Sequence, residues 1–153
     1  MKKIIALLLS LVFVFAFASC GISADADKVE DRLELAGYDV DESDDYDEFK
    51  IFLERRDIGT AGVREVIVAY DDKNNDDMLV VIFCKNKSSA KDRLDDVEKY
   101  LESKSFLDDC EIMDWNPAEY EAKRSGTVVC YGHKDMIKCR RQVKTAKILG
   151  KEI

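Results

Sequence analysis

The stretch Met78–Cys84, "MLVVIFC", is apolar at every position, so as a strand it turns hydrophobic side chains to both faces of its sheet at once. Neither face can be left against water, and such a strand calls for a central place with cover on each side. Just upstream, "VREVIVAY" (Val63–Tyr70) is a second run rich in β-branched residues, and the intervening "DDKNNDD" consists of turn formers. Two such runs around such a cluster predict a hairpin.

The remaining chain supplies the cover. Val29, Leu33 and Ala36 fall on one side of a helix predicted from Asp25 to Ala36 and stopped by Gly37, after which "YDV" reads as a short strand. From Ser43 to Gly59 two periods compete. Phe49, Ile51 and Leu53 alternate as in a strand, whereas Tyr46, Phe49, Leu53 and Arg56 share a helical face. Asp45 followed by Glu48 resembles a capping box and Gly59 offers a stop, which favours helix over residues 45–58. Ser88 or Ser89 opens a further helix, whose Ala90, Leu94, Val97 and Leu101 form a stripe running to about Ser103. "CEIMDW" (Cys110–Trp115), "EYEAK" and "TVVCYG" read as strands, the last two joined through Arg124, Ser125 and Gly126. A closing helix is expected over Lys134–Leu149, with Gly150 ending it. The predicted order is α-β-α-β-β-α-β-β-α, an α+β fold with an antiparallel-rich sheet of about four to five short strands and helices packed against it. There is no repeat and no low-complexity linker, and Pro117 is the single proline, so residues 25–153 read as one domain.

Ahead of that domain, Lys2 and Lys3 precede an apolar run from Ile4 to Phe17 that only Ser10 interrupts. This is the pattern of a signal peptide over residues 1–19, and it stops short of the ~20 apolar residues a bilayer-spanning helix needs. Two cleavage patterns overlap at its end. Ala16-Phe17-Ala18 is a small-x-small site that would free a soluble secreted chain starting at Ser19. Phe17-Ala18-Ser19-Cys20, followed by Gly21, resembles the lipobox of bacterial lipoproteins, with Phe17 where leucine is usual. That resemblance implies that Cys20 carries diacylglycerol and becomes the first residue, with residues 20–24 as anchor and short tether. Two acyl chains hold a protein on a membrane where one is marginal.

Charge narrows the partners. Loss of residues 1–19 leaves 134 of the 153 residues, and 24 Lys and Arg, less Lys2 and Lys3, against 32 acids give a net charge of -10. Such a surface repels nucleic acid. The charge is polarised, with twelve acids between Asp25 and Glu48 and nine bases between Lys123 and Ile153.

Chemistry-bearing patterns are sparse. Five cysteines are an odd number for an exported chain, and assigning Cys20 to lipid leaves Cys84, Cys110, Cys130 and Cys139 as disulfide partners or buried thiols. No CxxC spacing occurs and His133 is the only histidine, so neither a metal site nor a cofactor is expected. Asp72, Asn74 and Asp76 are spaced like the start of an EF-hand loop, but Asp77 replaces its glycine and Phe83 its closing glutamate. Cys130 and His133 could form a thiol and base, although nothing supplies an orienting group. The run "DVDESDDYDE" could bind calcium weakly but reads as solvated surface that also caps a helix, and the stripe Lys134, Lys138, Arg141 and Lys144 or Thr145 either touches anionic lipid or wall polymer or pairs with the acidic start of the same domain.

"FASC", "LELAGYDV", "VREVIVAYDD", "FCKNKSSAKDRLDDVEKYLE" and "KRSGTVVCYGHKDMIK" together resemble small predicted lipoproteins of Gram-positive, often gut-dwelling bacteria, whose function is unassigned. The resemblance implies a fold and an address without an activity: the outer face of the cytoplasmic membrane, reached through an N-terminal lipid. The expected role is a non-enzymatic module that binds a protein or a small ligand at the cell surface. The alternatives are an extracytoplasmic enzyme or enzyme subunit using carboxylates that the sequence does not single out, or a structural envelope protein.

Overall fold

The computed structural model describes residues 24–71, 73 and 77–137. Its elements are α1 (Ala26–Leu35), β1 (Asp39–Ser43), α2 (Tyr46–Glu54), β2 (Val63–Asp71), β3 (Asp77–Cys84), α3 (Lys87–Leu101), α4 (Lys104–Met113), a 3-10 turn (Pro117–Glu119), β4 (Tyr120–Ser125) and β5 (Val128–His133). Helical backbone resumes over 134–137, and the rest of the predicted closing helix lies outside the described residues.

The demand made by "MLVVIFC" is met. The sheet order is β1-β2-β3-β5-β4 with every neighbouring pair antiparallel, so β3 is the middle strand. On one face Met78, Val80 and Ile82 pack with Phe49 and Leu53 of α2, Ala90, Val97 and Tyr100 of α3, and Phe106 and Cys110 of α4. On the other, Leu79, Val81 and Phe83 pack with Ala26, Val29 and Leu33 of α1 and with Met136 and Ile137. The result is an α+β domain of three layers, and each aliphatic side chain buried in it contributes about 1.5–3 kcal/mol.

Local chemistry sets the boundaries. Gly37 takes φ +89°, letting Tyr38 N–H reach back to Leu33 O at 3.2 Å and close α1. Asp45 accepts from Asp47 N–H at 2.8 Å, which starts α2 at Tyr46 and resolves the ambiguous segment as helix. That helix stops before Gly59, because Asp57 adopts φ 55° and Ile58 N–H bonds Leu53 O at 3.0 Å. Gly59 is needed for room instead: a Cβ there would lie 2.8 Å from the Arg93 guanidinium. Asn86 caps α3 by accepting from Ser89 N–H at 2.9 Å, slightly upstream of the expected serines.

One element differs from expectation. Cys110–Trp115 does not form a strand; its first residues complete α4. Ser103 Oγ accepts from Phe106 N–H at 3.2 Å to open that helix, and Asp114 at φ 56° with Trp115 N–H on Cys110 O at 2.9 Å ends it. Cys110, Ile112, Met113 and Trp115 make the segment apolar enough for a strand. However, Phe106 and Cys110, four apart, are the pair that faces the core, and Ile112 is 80% exposed.

Candidate functional site

Several of the sequence candidates, namely Phe17, Ala18, Ser19, Cys20, the loop acids Asp72 and Asp76 with Asn74, Cys139 and the basic residues from Lys138 onward, lie outside the described residues. Lys134 donates to Ala118 O. Cys84 and Cys110 are buried free thiols, and Cys130 is buried in β5. Burial pushes the Cys84 thiol up to about 11 and that of Cys110 upward as well, so both resist becoming thiolates. Cys130 packs toward α1, whereas His133 stacks edge-on against Tyr120 on the opposite face, as a spacing of three on a strand requires. The thiol and base are therefore kept apart.

His133 joins a different set. Its Nε2 lies 3.2 Å from Glu119 Oε2 and 3.7 Å from Asp77 Oδ2, and its Nδ1 accepts from Asp135 N–H at 3.3 Å. Tyr120 donates to Asp77 Oδ1 at 3.4 Å. Burial raises the Asp77 carboxyl above its ordinary range, against the opposing influence of His133 and the Tyr120 bond. These contacts tie the start of β3 to the start of β4 and the end of β5. Among the described residues, no group of three or more His, Cys, Asp or Glu is placed to hold a metal ion.

The acidic run is split by the fold, with consequences for its chemistry. Asp39–Ser43 forms an edge strand while Asp45 caps α2. Strand register sets Asp41 opposite Val68, on the same face as α2. Between that edge and α2 opens a cleft of about 330 Å³, with Phe49, Phe52, Val66, Val68 and Tyr70 as walls and floor and the exposed Asp41 and Glu48 at its lip. Asp41 makes no ion pair and Tyr70 no hydrogen bond among the described residues. Burial, with a smaller contribution from Asp41, raises the Tyr70 phenol and opposes the pull of Arg56. The phenol is thus a neutral hydrogen-bonding group at one end of an acid-lipped apolar cleft.

Tyr70 also borders a second recess of about 220 Å³, between α2 and α4, lined by Arg56, Met78, Asp109, Ile112, Met113 and Trp115. Arg56 lines this second recess and not the first. Its guanidinium stacks on the Phe52 ring at 3.8 Å, and Nη1 donates to Phe52 O at 3.0 Å. Tyr100 donates to Asp109 at 2.8 Å beside it. Arg56 Nε and the hydroxyl of the wholly buried Tyr131 have no hydrogen-bond partner among the described residues. An unpaired buried polar group costs about 1–3 kcal/mol.

The helical face of Tyr46, Phe49, Leu53 and Arg56 was visible in the sequence, yet the part that Phe49, with Glu48 and Phe52, plays in lining the cleft was not. That role depends on Asp41, Val68 and Tyr70 meeting α2, which only strand pairing brings about. No protein-family model matches the chain, and no curated protein or solved structure shows significant similarity to it.

Proposed function

We propose that this is a lipid-anchored extracytoplasmic protein, held at the outer face of the cytoplasmic membrane by acylated Cys20, and that its single α+β domain acts there as a non-enzymatic binding module. The address rests on the polarised stretch from Lys2 to Gly21 and on the likeness to small Gram-positive lipoproteins. Among the described residues no helix is long and apolar enough to cross a membrane, so a lipid would supply the apolar burial that retention requires.

The binding role rests on the α2 cleft. Its walls are apolar, its lip is acidic, and its phenol is held neutral. These groups recognise a ligand by burial, charge and hydrogen bonding. The tests are fractionation of cells expressing the unmutated protein and Cys20→Ala, and capture of whatever stays bound to the anchored form. The expected outcome is membrane retention with an acylated N-terminal peptide for the unmutated protein and release of the variant. An unmutated protein in the medium with a free Ser19 amino terminus would refute the anchor. Chemical turnover of the captured ligand would favour the enzyme alternative.

A further inference from the structure

We infer that the α2 cleft is a site for a small organic ammonium ion, a protonated amine carried on an apolar, ring-sized body. The inference rests on the binding-module reading and names the ligand chemistry of the same cleft. Four observations converge. The space, about 330 Å³, is at the lower end of small-molecule sites and suits one ring with a short arm. Phe49, Phe52, Val66 and Val68 offer that ring an apolar bed. Asp41 stands at the lip without an ion pair among the described residues, and Glu48 lines the same cleft. Tyr70 presents a hydroxyl with no hydrogen bond among the described residues, able to accept one N–H of an ammonium group.

Charge selects among rivals. An anionic ligand would meet the Asp41 carboxylate at the entrance. A neutral one would cover Asp41 without compensating its lost water. The cation already nearby, Arg56, lies against the Phe52 ring and carbonyl, and its charge is felt at Tyr70. The neighbouring α4 recess has Arg56 and Asp109 on its walls and so selects no sign of charge.

The test is calorimetric titration of the purified full-length protein with 2-phenylethylammonium, 2-phenylethanol and 3-phenylpropanoate at neutral pH, together with amide chemical shifts. The ammonium ion should bind in the millimolar-to-micromolar range expected for roughly nine non-hydrogen atoms. The alcohol should bind about 10-fold more weakly, the carboxylate not at all, and shifts should centre on Val66, Val68 and Tyr70. Asp41→Asn should weaken the ammonium ion about 5- to 10-fold and Tyr70→Phe by less, while Asp27→Asn on the opposite layer should leave it unchanged. A circular-dichroism spectrum matching the unmutated protein establishes that the Asp41 variant is folded. Equal affinity for amine and alcohol, undiminished affinity in folded Asp41→Asn, shifts centred on Met113 and Trp115, or no binding would each overturn the inference. Absent binding in a membrane-retained protein removes the ligand alone, and binding by a protein that is not retained removes the anchor alone.

Discussion

At the residue scale the tightest constraint on the sheet is Gly132. It sits in β5 at φ +151°, and a Cβ there would come within 2.2 Å of Met78 O on the paired strand. The obstacle is backbone, which cannot swing aside as a side chain would. Gly132→Ala should therefore lower the unfolding free energy by about 2–4 kcal/mol, combining overpacking with backbone strain. Gly126 is the internal comparison: at φ +61° it has nothing within 4 Å of the added atom, and Gly126→Ala should cost only the left-handed penalty of about 1–2 kcal/mol. Urea midpoints for the two variants measure the difference, and equal losses would mean that β5 relaxes around residue 132. Cys84 carries a second expectation. Its raised thiol pKa, about 11, should make alkylation of the native protein slow at pH 8 and fast after denaturation. Because the folded thiol keeps its proton longer than the unfolded one, its contribution to stability is complete below about pH 9 and is lost as pH rises through 11. Rapid native labelling would place Cys84 outside the core. Burial of Cys84 and Cys130 was legible from their apolar neighbours. The cleft role of Asp41 was hidden among similar acids, because its partner Val68 lies on another strand.

At the element scale α4 shows where reading by period fails. Over Cys110–Trp115 a six-residue window contains too little of either period to decide between strand and helix. The deciding features lie outside that window, in the Ser103 cap and in Phe106, four residues ahead of Cys110. In the 45–58 segment the cap, Asp45, lies inside the ambiguous window itself, and the helix Tyr46–Glu54 follows from it. If the cap decides α4, Ser103→Ala should cost about 1 kcal/mol. Asp114→Gly should restore about 1 kcal/mol by relieving the left-handed backbone at φ 56°. Thermal unfolding of both single variants and the double variant tests this. An unchanged midpoint in Ser103→Ala would show that packing of Phe106 and Cys110 alone holds the helix.

For the whole molecule the apolar stretch Met78–Cys84 of β3 was the most informative, since it required cover on both faces, and both covers exist. What the sequence could not convey was which helices go to which face. That follows from handedness and loop reach rather than from any local pattern. The two hydrophobic clusters share no side chains, yet they share the β3 backbone, so neither layer of helices can leave without exposing the strand that supports the other. The domain should accordingly unfold as one unit. Phe83 belongs to the α1 side and is wholly buried, while Trp115, the only tryptophan, packs with Tyr120 at 5.2 Å on the other side. Phe83→Ala should destabilise by about 3–5 kcal/mol. The loss should appear undiminished in the fluorescence of Trp115, across the sheet from the lesion, with a midpoint coincident with that of far-ultraviolet circular dichroism. A fluorescence transition that stayed in place while the dichroism moved would mean that the α1 layer detaches independently, and that β3 insulates the two cores from each other instead of coupling them.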